Sequence, residues 1–536
     1  MKRPALSANF SAHLLSLIST VLIGGCALVS SGCGANPSSS TPKLAGSTNL
    51  AVMLSSTAND QLSQFNLEFE TLTLTNQSGA SVNLLMNQQP AEFMHVNGGT
   101  EPLTAVTIPQ DIYVSAKATI GGASFTCVTI LPPGSVAPGN LDTSTYAYGY
   151  TPDSDVTVNL PSPITITGDS MVLVLDLQVS NSASYPGGCY PVGTEPYSIT
   201  PTFNLMAATF SSQPSNPTNG KVTQLEGQIT AISATDNSLT VSLPEPNPEN
   251  TRTLAVSANE STIYQGINGF SALAVGAFVD MDGTIQKDAS LQATRIAVED
   301  PSAVDVLIGP VMHVAPDQPT VNEPSAVFFS RLSAGKDPIP LSWPYSISGA
   351  LFQVSQQISL QGLPFVPVFN ASSMVAGQNV YVTSQDLSYI GGVYTPATTI
   401  TLMPQTINGT VAGSSRSGDF TEYTVSLAAY DLFPTLAVQQ GQTTLLSNPG
   451  EVQVYVNNST NLLNIQPLAA GSTLRFYGLV FNDNGTLRMA CAQVSDGVAF
   501  STQSSHVRGR QSGQVQITRR AGAGRMQQVN TLNKSR

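Results

Sequence analysis

Leu225-Glu226-Gly227-Gln228-Ile229 decides the fold, because the same alternation around an early glycine returns twice. It reappears as Leu307-Ile308-Gly309-Pro310-Val311 and as Ile407-Asn408-Gly409-Thr410-Val411. Alternation with period two marks a half-buried strand. A glycine at that place fits a barrel corner or bulge, which wants a residue without Cβ. An Asn-rich turn follows each strand: Asn259-Glu260-Ser261-Thr262, Asn370-Ala371-Ser372-Ser373 and Asn458-Ser459-Thr460. Next comes an apolar-x-x-Gly step, from Leu273 to Gly276, Met374 to Gly377 and Leu468 to Gly471. An alternating strand, a hairpin and a last strand close each unit. A period of about 90 residues exceeds the ~20–50 of solenoids and predicts three small barrels, over 222–300, 301–403 and 404–499.

Composition agrees with an all-β chain. The 536 residues are 41% hydrophobic but only 10% charged, against about 25% charged in ordinary domains. Ser, Thr, Asn and Gln replace the charges, and 43 Gly with 36 Pro supply punctuation. Long exposed helices, which carry Glu/Lys pairs, are not expected from such a composition. The net charge of −13 is unevenly spread: between the first few residues and Phe500 only 11 basic residues stand against all 33 acidic ones. An acidic body disfavours nucleic acid as a partner.

Ahead of the repeats, residues 46–210 carry short strands separated by Asn97-Gly98-Gly99, Gly121-Gly122 and Gly187-Gly188. The segment Phe65-Asn66-Leu67-Glu68-Phe69 alternates, and then its phase switches to Leu72 and Leu74, which predicts a β-bulge. Eight or so strands with such punctuation predict a β-sandwich. Residues 211–221 read as a linker. Cys127 and Cys189 both fall in this first domain and are expected to form a disulfide outside the cytoplasm, while Cys491 remains over.

Two resemblances follow from these residues. Leu50–Leu54, Phe65–Leu74 ending at Asn76-Gln77-Ser78-Gly79, Ile108-Pro109 and Val174-Leu175-Asp176-Leu177 resemble a bacterial lipoprotein domain of unknown function, family 4382. The first repeat resembles the small β-barrel domain of unknown function of family 5666, through Gly227-Gln228-Ile229, Leu239-Thr240-Val241, Thr262, Gly276 with Phe278-Val279, and Ala293-Thr294-Arg295-Ile296. The second and third repeats match it more loosely. Neither resemblance brings catalytic residues with it.

The N-terminus supplies an address. Lys2 and Arg3 precede the run LLSLISTVLIGGCALVSSGC from Leu14 to Cys33, whose apolar core is far shorter than the ~20 residues of a membrane-crossing helix. Small residues close it at Gly24-Gly25-Cys26 and at Ser31-Gly32-Cys33. Residues 1–33 thus read as a lipoprotein signal, with Cys26 or Cys33 taking lipid, and 34–45 as a flexible tether. Ile23 gives Cys26 the usual aliphatic neighbour and makes it the first choice, with Cys33, which the polar tether suits, as the alternative. The expected partner is a membrane, through the lipid. The tail 500–536 holds seven basic residues and no acidic one, including Arg519, Arg520 and Arg525, and is expected to be disordered.

Chemistry is sparse. The four histidines, His13, His95, His313 and His506, are scattered, so neither a triad nor a zinc motif can be assembled locally. His95 and His313 read as ordinary turn or strand residues. Gly168-Asp169-Ser170 copies part of an esterase nucleophile block but sits between two strands and reads as a turn. Asp280-Met281-Asp282-Gly283 and Asn482-Asp483-Asn484-Gly485 lack the glutamate of a calcium loop and read as hairpin turns. Asp142, Asp153 and Asp155 flank one loop without a convincing metal set. Tyr146, Tyr148 and Tyr150 fall on one face of an extended segment, where they could stack on sugar or on a protein partner. Trp343 reads as a plug at a barrel mouth.

The expectation is therefore an envelope lipoprotein, all-β, without cofactor, metal or catalytic residues, serving as a binding or spacer array for a glycan or envelope protein. The rival expectation is a carbohydrate-active hydrolase, which needs only two carboxylates about 5–9.5 Å apart.

Overall fold

In a computed structural model, the residues described are 44–496, apart from 58–61, 98, 131–142, 150–153, 185–197, 209–220, 244–251, 287–289, 299, 316–323, 336–341, 386–394, 428–430, 437–445 and 464–467. Cys26, Cys33, Cys189, Tyr150, Asp142, Asp153 and the basic tail lie outside them. So do the side chains of Cys127, Tyr146 and Tyr148, and with them the expected disulfide and tyrosine face. The described residues are almost entirely β-structure, as composition predicts; their two α-helices are single short turns, Val179–Ser182 and Leu432–Leu436. No helix among them is long and apolar enough to cross a membrane.

Strand Ser47–Thr57 organises the N-terminal domain. It pairs in parallel with Ser170–Gln178 and antiparallel with Glu101–Pro109. Leu50, Val52 and Leu54 face one core with Leu173, Leu175 and Leu177, whereas Ala51, Met53, Val172 and Val174 face a second core. Burial on both faces is why these strands read as continuous apolar runs rather than alternations. The eleven strands of this sheet surround the first core, from Leu62–Asn76 and Asp111–Ile130 through to Phe203–Ala208. The expected bulge is present. Phe65, Leu67 and Phe69 are buried, the register against Asp111–Ile130 shifts between Phe69 and Thr71, and burial resumes at Leu72 and Leu74.

The first repeat closes into a barrel. Strands Thr253–Ser257, Ser238–Ser242, Lys221–Ser233, Phe278–Ile285 and Leu291–Ala297 pair in that order, and the first returns to pair with the last. Ile263–Gln265 adds as a sixth, parallel strand. The third repeat has the same connectivity, with Glu451–Val456 closing on Thr486–Asp496 and Asn461–Leu463 added in parallel. The second repeat instead spreads into eight strands, without a closing pair among the described residues. The third repeat, which the sequence relates only loosely to the first, is thus its topological copy.

Three anchors recur in all the repeats and explain the sequence periodicity. The amide of Gly276, Gly377 or Gly471, each at positive φ, donates to the carbonyl of Ile229, Val311 or Val411 at 2.8 Å in every case. The early glycine allows a close backbone approach. A Cβ on Gly227 would collide with Val241, and one on Gly309 with the Phe329 carbonyl. In the Asn turn, an Asn Oδ1 accepts the backbone N–H of a serine two residues on, at Asn259, Asn370 and Asn457. The third turn therefore starts at Asn457, one residue before the Asn458 that sequence alignment selects. Thr262 and Thr460 then pin their turns to the Ala293 and Cys491 carbonyls, both at 2.9 Å.

The domains share cores. Ala51, Met53, Val172 and Val174 belong to the same cluster as Val222, Ile229, Val279 and Ile296 of the first repeat. Phe278 of the first repeat packs with Val306, Ile308 and Tyr381 of the second. Leu307, Phe328 and Ile400 of the second share a cluster with Tyr455, Leu479 and Phe481 of the third. The third repeat returns to the N-terminal domain, where Thr406 donates to the Asn97 carbonyl at 2.8 Å and Arg475 to the Ser56 carbonyl at 3.2 Å. Gln64 reaches the Arg331 carbonyl of the second repeat at 3.1 Å. The four modules thus form a closed ring of contacts.

Candidate functional site

The segment Phe93–Asn97, between strands Gln89–Glu92 and Glu101–Pro109, lies where the ring closes. Glu92, fully buried, organises it. Its carboxylate accepts the backbone N–H groups of Phe65 at 2.8 Å and of Met94 and His95 at 2.9 Å each. His95 then places Nδ1 3.0 Å from Glu92 Oε2 and Nε2 2.6 Å from Glu101 Oε2. Arg252 of the first repeat pairs with the other oxygen of Glu101, and also donates to the Pro102 carbonyl at 2.7 Å. A buried cation is tolerated only when paired and hydrogen-bonded, and here two carboxylates face an imidazolium and a guanidinium.

Electrostatics follow from that geometry. Burial alone would lower the His95 pKa, but Glu101 and Glu92 more than reverse this and raise it from 6.5 to about 10. Burial would raise that of Glu101, but Arg252 and His95 lower it from 4.5 to about 2. A raised histidine contributes stability that is whole below pH 6.5 and is lost as pH climbs through about 10. The depressed Glu101 contributes stability present above pH 4.5 and lost as pH falls toward 2. Wild type should therefore exceed a His95→Gln variant in urea resistance most strongly between pH 4.5 and 6.5, with the margin shrinking on either side. A margin that grows from pH 7 to 10 would contradict a protonated His95.

Next to this network is a cavity of about 70 Å3, lined from all four modules. His95 and Asn97 come from the N-terminal domain, Glu226 from the first repeat, Arg331 and Asn379 from the second, and Gln405, Thr406 and Tyr477 from the third. Leu62, Met94, Ile308 and Leu432 supply apolar wall. The amide oxygens of two lining residues, Asn97 Oδ1 and Asn379 Oδ1, are sealed from water and accept no hydrogen bond among the described residues.

A second charged cluster corrects the reading of Asp280-Met281-Asp282-Gly283 as a turn. These residues run inside strand Phe278–Ile285, and the chain reverses only beyond it, where Gln286 N donates to Ser290 O at 2.7 Å. Strand alternation places Asp280 and Asp282 on one side, where Arg295 from the neighbouring strand binds both, at 2.7 and 2.8 Å. Gln357 of the second repeat donates to both Asp280 oxygens, at 3.0 and 2.9 Å. The charges are held inside, across a module boundary, instead of on a solvated hairpin. By contrast, Asn482-Asp483-Asn484-Gly485 is a hairpin turn, with Asn484 and Gly485 both at positive φ.

The other sequence candidates are dispersed. Gly168-Asp169-Ser170 is the connection from Ile164–Ile166 to Ser170–Gln178, with Gly168 at positive φ, and its carbonyl accepts from Thr48 at 2.6 Å. Asp155 is exposed and bonded to Lys117 and to Thr119. Among the described residues no three His, Cys, Asp or Glu gather as a metal site. His313 lies half-buried on strand Asp305–Ala315, opposite Val327, far in sequence and register from His95. Trp343, on strand Ser342–Ser346, donates to Thr395 Oγ1 at 3.1 Å and packs against the core shared by the second and third repeats. Cys491 is a buried free thiol whose pKa burial pushes up to about 12.

Sequence reasoning missed the Glu92–His95–Glu101–Arg252 network. Glu92 and Glu101 flank His95 closely in the chain, which is a faint local signal. Arg252, more than 150 positions away, has none.

Comparison with known proteins adds one family. The family described as Domain of unknown function (DUF5666) matches residues 226–297, the first repeat. No curated protein matches the chain. Among solved structures, "Structure of Glycoside Hydrolase family 32 from Bifidobacterium adolescentis" aligns at 9% identity over 83% of this chain and 67% of that one. Its TM-score is 0.12, a likeness too small to carry an argument.

Proposed function

We propose that the chain is a bacterial envelope lipoprotein, held to a membrane by lipid on Cys26 or Cys33, whose β-modules bind or brace rather than catalyse. The run from Leu14 to Cys33, with its basic lead and small residues before each cysteine, supports the address. The resemblance of residues 46–210 to family 4382 supports the same reading. A single observation carries the non-catalytic half. His95, which lines the cavity, has both ring nitrogens bonded to carboxylates and is held protonated, so it lacks the free nitrogen a general base needs. The shared cores make the body a rigid support on which a glycan or another envelope protein would be the ligand.

Metabolic labelling with a palmitate analogue tests the anchor in wild type, Cys26→Ala, Cys33→Ala and the double variant. Label should enter wild type, disappear from one single variant, and be absent from the double. An unlabelled wild type, or a labelled double variant, would overturn the anchor.

A further inference from the structure

We propose that Asn268 is a site of covalent self-modification, converted to aspartate and isoaspartate by attack of the Gly269 backbone nitrogen on its side-chain amide. The inference is independent of where the chain is anchored and of what it binds. An asparagine followed by glycine is the pair most open to this reaction, because no Cβ crowds the attacking nitrogen and the backbone turns freely. Asparagine is for that reason a thermolabile residue. Three such pairs lie wholly among the described residues: Asn268-Gly269, Asn408-Gly409 and Asn484-Gly485. The fold treats them differently.

Two of the pairs are protected. Asn408 is 1% exposed, and Gly409 is paired with Leu427 on one side and Leu474 on the other. Neither water nor a change of backbone angle reaches that pair without unzipping strands. Asn484 is exposed, but its hairpin is closed by the pairing of Asp483 with Thr486. There the Gly485 N–H donates to Asn482 Oδ1 at 2.8 Å and Asn484 Nδ2 to Asp483 Oδ1 at 3.0 Å. The attacking nitrogen and the leaving group are both already bonded, so the turn would have to open first.

Asn268 has neither protection. It is exposed, in the bend between strand Ile263–Gln265 and the single 3-10 turn Phe270–Ala272. Among the described residues, no hydrogen bond holds its side chain or the Gly269 N–H. Gly269 has a φ of 129°, and nothing stands within 4 Å of the place a Cβ would take. Firm anchors flank the bend: Val298 N donates to Gln265 O at 3.0 Å, and Gly276 N to Ile229 O at 2.8 Å. The backbone rotation that ring closure needs is therefore local and leaves the barrel intact. The step balances with solvent alone. Gly269 N gives its proton to hydroxide and bonds to Asn268 Cγ, the Cγ–Nδ2 bond breaks, and Nδ2 leaves as ammonia with a proton from water. Water then opens the cyclic imide at either carbonyl, so asparagine plus water becomes aspartate or isoaspartate plus ammonia.

Ageing the purified full chain at mildly alkaline pH in heavy-oxygen water, followed by peptide mapping with mass spectrometry, tests this. Aspartate and isoaspartate, each carrying one heavy oxygen, should both accumulate at Asn268. Their rate should exceed that at Asn408 or Asn484 at least about tenfold, the scale that a retained hydrogen bond and a closed turn impose on the slower pairs. In urea sufficient to unfold the chain, the three rates should draw together. A folded chain in which Asn268 reacts no faster than Asn484 would overturn the proposal. So would a lead that persists undiminished in urea, since the preference would then lie in the local sequence and not in the fold. Aspartate without isoaspartate would mean direct hydrolysis and would also overturn it.

Discussion

Replacing Arg252 by methionine should destabilise the folded chain by about 3–5 kcal/mol, because it strands a buried carboxylate. Glu101 is 5% exposed and faces His95 on one oxygen and Arg252 on the other. Methionine keeps much of the apolar stem, so the loss would report charge rather than volume. The paired variant Glu101→Gln with Arg252→Met removes both members, and should recover part of the loss. Urea unfolding of the full chain reads this, with circular dichroism for the whole body and the single tryptophan, Trp343, for the second repeat. A single-variant loss under about 1 kcal/mol would mean that water solvates Glu101 and that the pair is a surface contact.

Val172→Asp should have an effect of similar size by a different route. Val172 is 1% exposed and points away from the core of its own domain, into the cluster that it shares with the first repeat. Its neighbours Leu173 and Leu175 face the other way and stay packed. A carboxylate placed there has no partner, and burying it should cost at least about 3 kcal/mol, or be avoided by parting the two modules. The expected result is a urea transition that splits, the N-terminal domain and the repeats unfolding separately, with Trp343 following the repeats. A single, barely shifted transition would refute a shared core between them.

The two predictions bear on one property. A tether followed by independent beads would tolerate both substitutions locally. Here the cores at Met53, Phe278 and Phe481 each join residues from two modules, so a local change is felt across a boundary. That coupling gives the junction cavity fixed walls, since its lining residues come from modules whose positions the shared packing sets.

The buried charges also refine the picture of an acidic protein. Of the few basic residues in the body, Arg252 and Arg295 are each 8% exposed or less and neutralise carboxylates inside. Arg488 pairs with Asp483 at 2.7 Å and lies over the rings of Phe365 and Tyr455, joining the second repeat to the third. Basic residues thus serve at module boundaries, where each is matched by carboxylates.

The sequence by itself determined the all-β class, the phase switch at Phe69–Leu72, and the glycine and asparagine anchors of the repeats. Each is a local matter: strand period, bulge and turn chemistry are written within a dozen residues. It could not rank the repeats, because closing a barrel depends on whether Glu451–Val456 meets Thr486–Asp496 and not on how well either strand matches a pattern. Nor could it distinguish Asp280 in a strand from Asp280 in a turn, since the arginine and glutamine that make its burial tolerable stand 15 and 77 positions away. The same holds for His95. Its neighbours in the chain suggest a bland turn residue, and only the packing of the first repeat, which delivers Arg252 to Glu101, makes it the centre of a buried charge network. Long-range charge pairing leaves no periodic trace, so tertiary structure alone decided where the modules lock and where a cavity remains.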